Sequence, residues 1–342
     1  MRKLVLAAAL GLLAVAFAVA RPALAGRDLD NVRMRGALAC GLGTGLPGFE
    51  FLDKQGNWHG LGVDVCRAGA VALFGDTSKI KYVPTNAQHR FTALQAGEVD
   101  LLIGNATQTL TRDTALGFDF TGIYYFGGQA FMVPRKLGVK SARELDGASI
   151  CVTAGTTTEL VLADYFRVHK MSFKPVVIEK VEEVRGAFFG GRCDVYTADI
   201  SALAAARATG TATPDDYVIL PEIISKDPLG AMVRHGDNQF ADIMRWALYA
   251  MIEAEEYGVS SQNVDEMLKS DNPAIRRLLG VTPGMGKALG LDEKWAYNII
   301  KQVGNYGESF ERNLGTGSPL RLARGQNALW TRGGLQYAPP IR

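Results

Sequence analysis

The sequence has 342 residues, 47% of them hydrophobic, with 37 Lys and Arg against 35 Asp and Glu. So even a charge balance argues against nucleic acid or an anionic membrane surface as a partner, and a chain this long exceeds what one core usually covers, so two lobes are expected. Four cysteines, Cys40, Cys66, Cys151 and Cys193, lie 26, 85 and 42 residues apart, which is not the paired C-x-x-C spacing of a zinc site.

Met1-Arg2-Lys3 is positive, Leu4–Ala20 is almost wholly apolar, and Ala23-Leu24-Ala25 is a small-x-small exit. This is the pattern of a secretory signal peptide cleaved after Ala25. No later stretch has the apolar length of a membrane span. Loss of Arg2, Lys3 and Arg21 leaves 34 basic against 35 acidic residues, a net charge near −1. No cysteine follows Ala25, so a lipoprotein anchor is not expected. In an exported chain four cysteines point to two disulfides, with three possible connectivities. Cys40–Cys66 and Cys151–Cys193 are favoured, because each pair then staples one βαβ-like unit.

Leu29 to Arg35 reads as a helical turn and Ala37–Gly41 as a short strand running into a Gly/Pro-rich loop, Thr44 to Phe51. Asp53 to Asn57 is a tight turn, and Trp58–Val63 is extended. Val63–Phe74 has apolar residues at helical spacing and stops at Gly75-Asp76, a C-cap. A strand over Lys79–Pro84, a helix over Arg90–Gln95 ending at Gly97, and a strand over Val99–Ile103 complete the order of an open α/β sheet.

The second half repeats this grammar. A short helix over Ser141–Leu145 precedes a strand over Ser149–Thr153, and Thr156 or Thr157 with Glu159 starts a helix reaching Val168. Val176–Ile178 is a strand, Val181–Phe189 a helix, and Cys193–Thr197 a strand ending at Ala198-Asp199. An Ala-rich helix spans 199–209. Ala130–Pro134 and Leu229–Val233 are extended runs where the chain crosses between lobes, giving a two-segment hinge. The tail is helical over Phe240–Glu256, Val264–Lys269 and Glu293–Phe310, and its ending, Gly315–Arg342, wraps the surface.

The stretch Gly97–Thr121 carries the candidate site. A strand feeds a polar loop with Asn105, Thr107, Thr109 and Thr111, and Arg112 lies just beyond. An arginine grips a small carboxylate through two parallel charge-assisted hydrogen bonds, and threonine N–H and O–H groups complete its lone pairs. The other half offers G-T-T-T-E and Asp199. An arginine from one lobe and an aspartate from the other suit a zwitterion, with Arg112 on an α-carboxylate and Asp199 on an α-ammonium.

The stretches TGLPGFEF, DKQGNWHGLGVDVCRA, RFTALQAGEVD, GTTTELVLADYF, GRCDVYTADISAL, LPEIISKDPLG, VDEMLKSDNPAIRRLLG and ALWTRGGLQYAPPIR cover nearly the whole mature chain. Together they resemble the periplasmic substrate-binding proteins of polar amino-acid ABC importers, most closely the general L-amino-acid-binding branch. The resemblance implies a type II periplasmic-binding-protein fold: α/β, two lobes, each an open mixed sheet flanked by helices. It implies lobe 1 from 26–132 plus 231–342 with a helical extension, and lobe 2 from 133–230. It places Arg112 at the α-carboxylate with Thr107 and Thr157 as helpers. Asp199 and the Asn105 carbonyl fall at the α-ammonium, Arg90 at the ligand's side chain, and Leu46 and Phe49 on the apolar wall. The sequence departs from that branch at Gly43, Gly62, Gly104 and Gln108, where the pattern has asparagine, aspartate, arginine and tryptophan. Glycine there leaves room and removes partners, so the clamp is retained while the preferred side chain changes.

The expectation is a monomeric periplasmic solute-binding component of an ABC importer. It would capture a free L-amino acid such as Glu, Gln, Asp or Asn and deliver it to the inner-membrane permease. The alternatives are a ligand sensor or adaptor, and a dehydratase-type enzyme on the same scaffold. An enzyme needs an acid or base beside the ligand, and of His59, His89, His169 and His235 only His89 lies next to a candidate site residue. No P-loop, H-E-x-x-H, G-x-S-x-G or EF-hand motif is present, and neither cofactor nor metal is expected.

Overall fold

The structure, a computed structural model, describes residues 27–342. The signal peptide expected over 1–25 lies outside the described residues. Helix α1 (Arg27–Arg35) leads to β1 (Leu38–Gly43), the short strands β2 (Gly45–Leu46), β3 (Glu50–Leu52) and β4 (Trp58–His59), and helix α2 (Leu61–Phe74). The extended run expected to reach Val63 thus stops at His59. Gly60, at φ 132°, turns the chain into α2 where an added Cβ would strike the Phe49 carbonyl. Gly75 ends α2 in the left-handed conformation, its N–H bonded to the Val71 carbonyl.

Strand β5 (Ile80–Thr85), helix α3 (Arg90–Gln95) and strand β6 (Leu101–Leu102) follow, then the long strands β7 (Phe118–Gly127) and β8 (Gln129–Pro134). The next part contains β9 (Ser149–Thr153), α4 (Thr157–Val168), β10 (Lys174–Ile178), α5 (Val181–Phe189), β11 (Val195–Asp199), α6 (Ile200–Thr209) and β12 (Tyr217–Ile219). Strand β13 (Asp227–Arg234) precedes the helical tail: α7 (Asn238–Glu256), α8 (Val264–Met267), α9 (Pro273–Leu278), α10 (Met285–Leu289), α11 (Trp295–Gln302) and α12 (Tyr306–Asn313). The single helix expected over Glu293–Phe310 is two. Gly304, at φ 94°, breaks it, and Asn305 restarts the chain with a capping box to Glu308.

Two five-stranded mixed sheets result, ordered β5-β1-β6-β13-β7 and β10-β9-β11-β8-β12. In each, three strands are parallel, and a strand that arrives from the other part of the chain joins antiparallel: β13 in the first sheet and β8 in the second. This is the type II periplasmic-binding-protein fold. The chain changes sheet at Gly128 and again between Ile219 and Asp227. Ala130–Pro134 therefore lies wholly inside the second sheet and Leu229–Val233 wholly inside the first, rather than at the crossings. The boundaries at 132/133 and 230/231 move accordingly, because both runs are recruited into ladders as soon as they leave the crossing.

Cys40–Cys66 joins β1 to α2, and Cys151–Cys193 joins β9 to the turn before β11. Each bond ties a strand to its own crossover unit. The tail does more than wrap the surface. Trp295, Ile299, Tyr306, Phe310, Leu329 and Ile341 are buried in the first lobe's core with α2 and α7. Its helix α12 also satisfies the buried Asp64, which accepts from Ser309, Arg312 and Asn313. Among the described residues no helix is long and apolar enough to cross a membrane.

Candidate functional site

The ends of β1, β6, β9 and β11 meet across a gap between the sheets, where open α/β sheets hold ligands. There they line a cavity of about 380 Å³. The two lobes touch over it: Thr107 and Thr157 place their hydroxyl oxygens 3.3 Å apart, and Thr44 donates to Glu182 at 3.5 Å.

On the first wall the chain leaves β6 through Gly104 and Asn105, with φ of 47° and 45°. This reversal turns the Asn105 N–H onto Glu50 (2.9 Å), and the Gly43 N–H binds the other Glu50 oxygen. The Asn105 side chain accepts from Tyr124 Oη at 3.1 Å. Arg90, at the start of α3, donates to the Gly104 carbonyl, while its Nε is buried without a hydrogen-bond partner. Burial pushes the Glu50 carboxyl up to about 7, against its two backbone bonds and Arg90, and pulls Arg90 down to about 10.

Arg112 sits in a single π-helical turn, Thr111–Ala115, and donates to the Thr107 carbonyl at 2.6 Å. The guanidinium carbons of Arg112 and Arg90 each lie 4.8 Å from the centre of the Phe91 ring, so two cations share one aromatic partner. Burial and the neighbouring Arg90 pull Arg112 down to about 10. Thr107 in turn donates to Asp227 at 3.2 Å, and Asp227 accepts from Ser225 at 2.6 Å.

On the second wall Thr156 caps α4 by accepting from the Glu159 N–H, and this leaves Thr157 facing the cavity. Asp199 caps α6 with one oxygen, which accepts the Ser201 N–H at 2.8 Å and the Ser201 hydroxyl. Its other oxygen is buried and has no partner. Burial pushes this carboxyl up to about 6, with Asp227 adding to the shift.

Of the residues singled out from sequence, Leu46, Arg90, Asn105, Thr107, Thr157 and Asp199 line the cavity. Arg112 and Phe49 do not. Arg112 reaches the cavity only through Thr107, because its bond to that carbonyl and its stacking on Phe91 hold it within the wall. Phe49 is fully buried and packs edge-on against Tyr125 at 4.8 Å, as part of the core. His89 lines the cavity and is tied to Asn86 at 2.8 Å. Gly43 and Gly104 line the cavity and Gly62 does not. Added Cβ atoms at 43, 62 and 104 would lie 2.9 Å from a Glu50 oxygen, 2.6 Å from Ile103 Cγ2 and 3.3 Å from Arg90 Cδ. Sequence reasoning missed Glu50 and Asp227. The signal for Glu50 was a lone acid between Phe49 and Phe51; for Asp227 it was an acid opening D-P-L-G.

Residues 38–263 match the family described as bacterial extracellular solute-binding proteins, family 3. The chain is 55% identical over all of both sequences to the general L-amino acid-binding periplasmic protein AapJ of Rhizobium johnstonii. It is 53% identical to the glutamate/glutamine/aspartate/asparagine-binding protein BztA of Rhodobacter capsulatus, over 92% of this chain and 93% of that one. Among solved structures, an ABC transporter periplasmic binding protein of Brucella ovis with glutathione bound is 57% identical. It superposes with a TM-score of 0.90 over 92% of this chain and 99% of that one.

Proposed function

The chain belongs to the bacterial extracellular solute-binding proteins of family 3, and on that premise we propose that it captures a polar or acidic L-amino acid, such as Glu, Gln, Asp or Asn, between its lobes. It is the periplasmic component of an ABC importer and delivers that ligand to the membrane permease. It is a binding protein, not an enzyme.

One observation carries the ligand class: two buried polar atoms without hydrogen-bond partners on opposite walls, the acceptor Asp199 Oδ2 on one and the donor Arg90 Nε on the other. A buried carboxylate oxygen without a partner is strongly unfavourable and an α-ammonium satisfies it, while the buried Arg90 N–H offers a donor to the ligand's side chain. In this reading Asp199 takes the α-ammonium together with the Asn105 carbonyl. The α-carboxylate lies on the Thr107 and Thr157 hydroxyls with Arg112 behind them, and Arg90 meets the side chain. Leu46 packs on the aliphatic part. Closure pivots on the two crossings, at Gly127-Gly128 and at 220–226, and the protein acts as a monomer after cleavage at Ala25.

A second reading has support in the glutathione of the Brucella ovis structure and in the cavity of about 380 Å³, which falls in the size range of sites for ligands larger than one amino acid. Here the γ-glutamyl end of a small peptide occupies the clamp and the remainder extends toward Glu179 and Glu182. A thermal-shift panel of the L-amino acids and glutathione on refolded, ligand-free protein tests both, because a ligand that binds only the native state raises Tm. A rise with Glu, Gln, Asp or Asn that disappears in Arg112→Ala supports the first reading. A rise with glutathione alone supports the second, and no rise with any compound removes both.

A further inference from the structure

Glu50 and Asp227 are the buried acids of the cleft that the clamp above does not use, and Glu50 is the one beside Arg90. It is 1% exposed, and both its oxygens already accept backbone N–H groups, from Gly43 and from Asn105. These two bonds fix the orientation of its carboxylate at the cavity wall. Its surroundings are built to hold it. Gly43 ends β1, Gly62 lies in the first turn of α2, and Gly104 follows β6. A side chain at 43 would strike Glu50, one at 62 would strike Ile103 and crowd Glu50, and one at 104 would press on Arg90.

The charges facing Glu50 are those of this wall and its neighbours. Arg90 acts on it from α3, and the Tyr124 hydroxyl from β7 is turned to Asn105. Arg112 lies across Phe91 from Arg90, with Asp227 beside Thr107, and Asp199 faces them from the second lobe. Glu50 accepts the N–H and Arg90 binds the carbonyl of the same Gly104–Asn105 peptide, so Arg90 has a buried counter-charge close by before any ligand enters. A second carboxylate on the ligand would add an uncompensated negative charge to a buried site, whereas a neutral carbonyl can accept from Arg90 without one.

We propose that Glu50 sets the discrimination at Arg90: as a carboxylate it balances that arginine, so the site favours a neutral distal amide, primary or γ-peptide, over a distal carboxylate, which enters together with one proton taken from solvent onto Glu50. This rests on the amino-acid reading above. Burial supplies the means, since it already holds the Glu50 carboxyl near neutrality.

Isothermal titration of the mature chain with L-glutamine and with L-glutamate at pH 7.5, in phosphate and in Tris, counts the protons exchanged by each ligand. Asp199 meets the same α-ammonium in both, so its contribution cancels in the difference. Glutamate is expected to take up more protons than glutamine. In Glu50→Gln the difference disappears and the preference moves at least tenfold toward glutamate. Equal proton uptake by the two ligands in the unmodified protein overturns the proposal, and so does a selectivity within twofold of the original in Glu50→Gln. Should that variant not fold, the proton count alone decides. Binding of neither amino acid removes the amino-acid reading and this one with it; binding of both without a proton difference removes only the role of Glu50.

Discussion

The Asn327 side chain pairs with both backbone groups of Phe126, accepting its N–H at 2.7 Å and donating to its carbonyl at 3.0 Å. Phe126 lies on β7, the edge strand of the first sheet, one residue before the crossing at Gly127-Gly128. A single amide from the tail thus does what a neighbouring strand would do. Asn327→Ala leaves two backbone groups of Phe126 without partners, a loss of about 1–3 kcal/mol. Urea unfolding should show that loss, and small-angle scattering of the ligand-free variant should show a wider spread of lobe openings. A variant with unchanged stability and scattering would mean that the tail does not brace the hinge.

Stability of the ligand-free protein should fall as the pH rises from about 4.5 to 7. Burial raises Glu50 from its ordinary 4.5 to about 7, so across that window the folded protein holds a proton that the unfolded chain has lost. The folded state then binds more protons, and stability declines until Glu50 is ionised in both states. The shift corresponds to about 3 kcal/mol. Asp199, raised from 3.8 to about 6, acts in the same direction over its own window. Thermal denaturation of Glu50→Gln across pH 4.5–8 should give a flatter profile than the unmodified protein.

Asp199→Asn should separate stability from binding. Asparagine keeps the oxygen that caps α6 and removes a buried charge, so the ligand-free variant should melt higher at pH 8. Ligand affinity should fall by about 10² or more, because the ammonium loses its counter-charge. In the unmodified protein, affinity should weaken about tenfold per pH unit below pH 6, where Asp199 takes up a proton. Calorimetry over pH 5–8 checks both. Undiminished affinity in the variant would rule Asp199 out as the ammonium partner.

Reduction of either disulfide should destabilise only its own lobe. The loops closed by Cys40–Cys66 and Cys151–Cys193 span 26 and 42 residues, so loss of either bond is expected to remove about 2–4 kcal/mol. Hydrogen exchange on Cys151→Ser/Cys193→Ser should show faster opening of β9, α4 and β11, with β1 and α2 unchanged. Uniform loosening of both lobes would mean that the two unfold as one unit.

Elements with a strong local cause were legible in the sequence. Ser149–Thr153 and Val181–Phe189 match residue for residue, because turn chemistry bounds one and an amphipathic pattern fills the other. The long strand β7 was not legible. Its residues Phe118–Gly127 lack strict alternation, and it is held by β13, which lies a hundred residues further along. The site was half legible. Asp199 and Thr157 stand at helix starts, where sequence marks them, and Arg112 was read as exposed to ligand when Phe91 and Thr107 draw it inward. The glycines at 43, 62 and 104 were visible as departures from a pattern, but their compensation by Glu50 depends on three elements meeting, which no local window contains.

The position of β13 between β6 and β7 governs when the molecule can fold. Met232 pairs with Leu102, and Asp64 finds Ser309 at 245 residues' distance, so the first lobe closes only after nearly the whole chain is available. The second lobe is continuous and needs nothing outside itself to complete its ladders. Contacts this far apart in the chain form slowly. During synthesis the first sheet therefore stays without β13 until that strand is made, whereas the second sheet has all its strands once β12 has emerged.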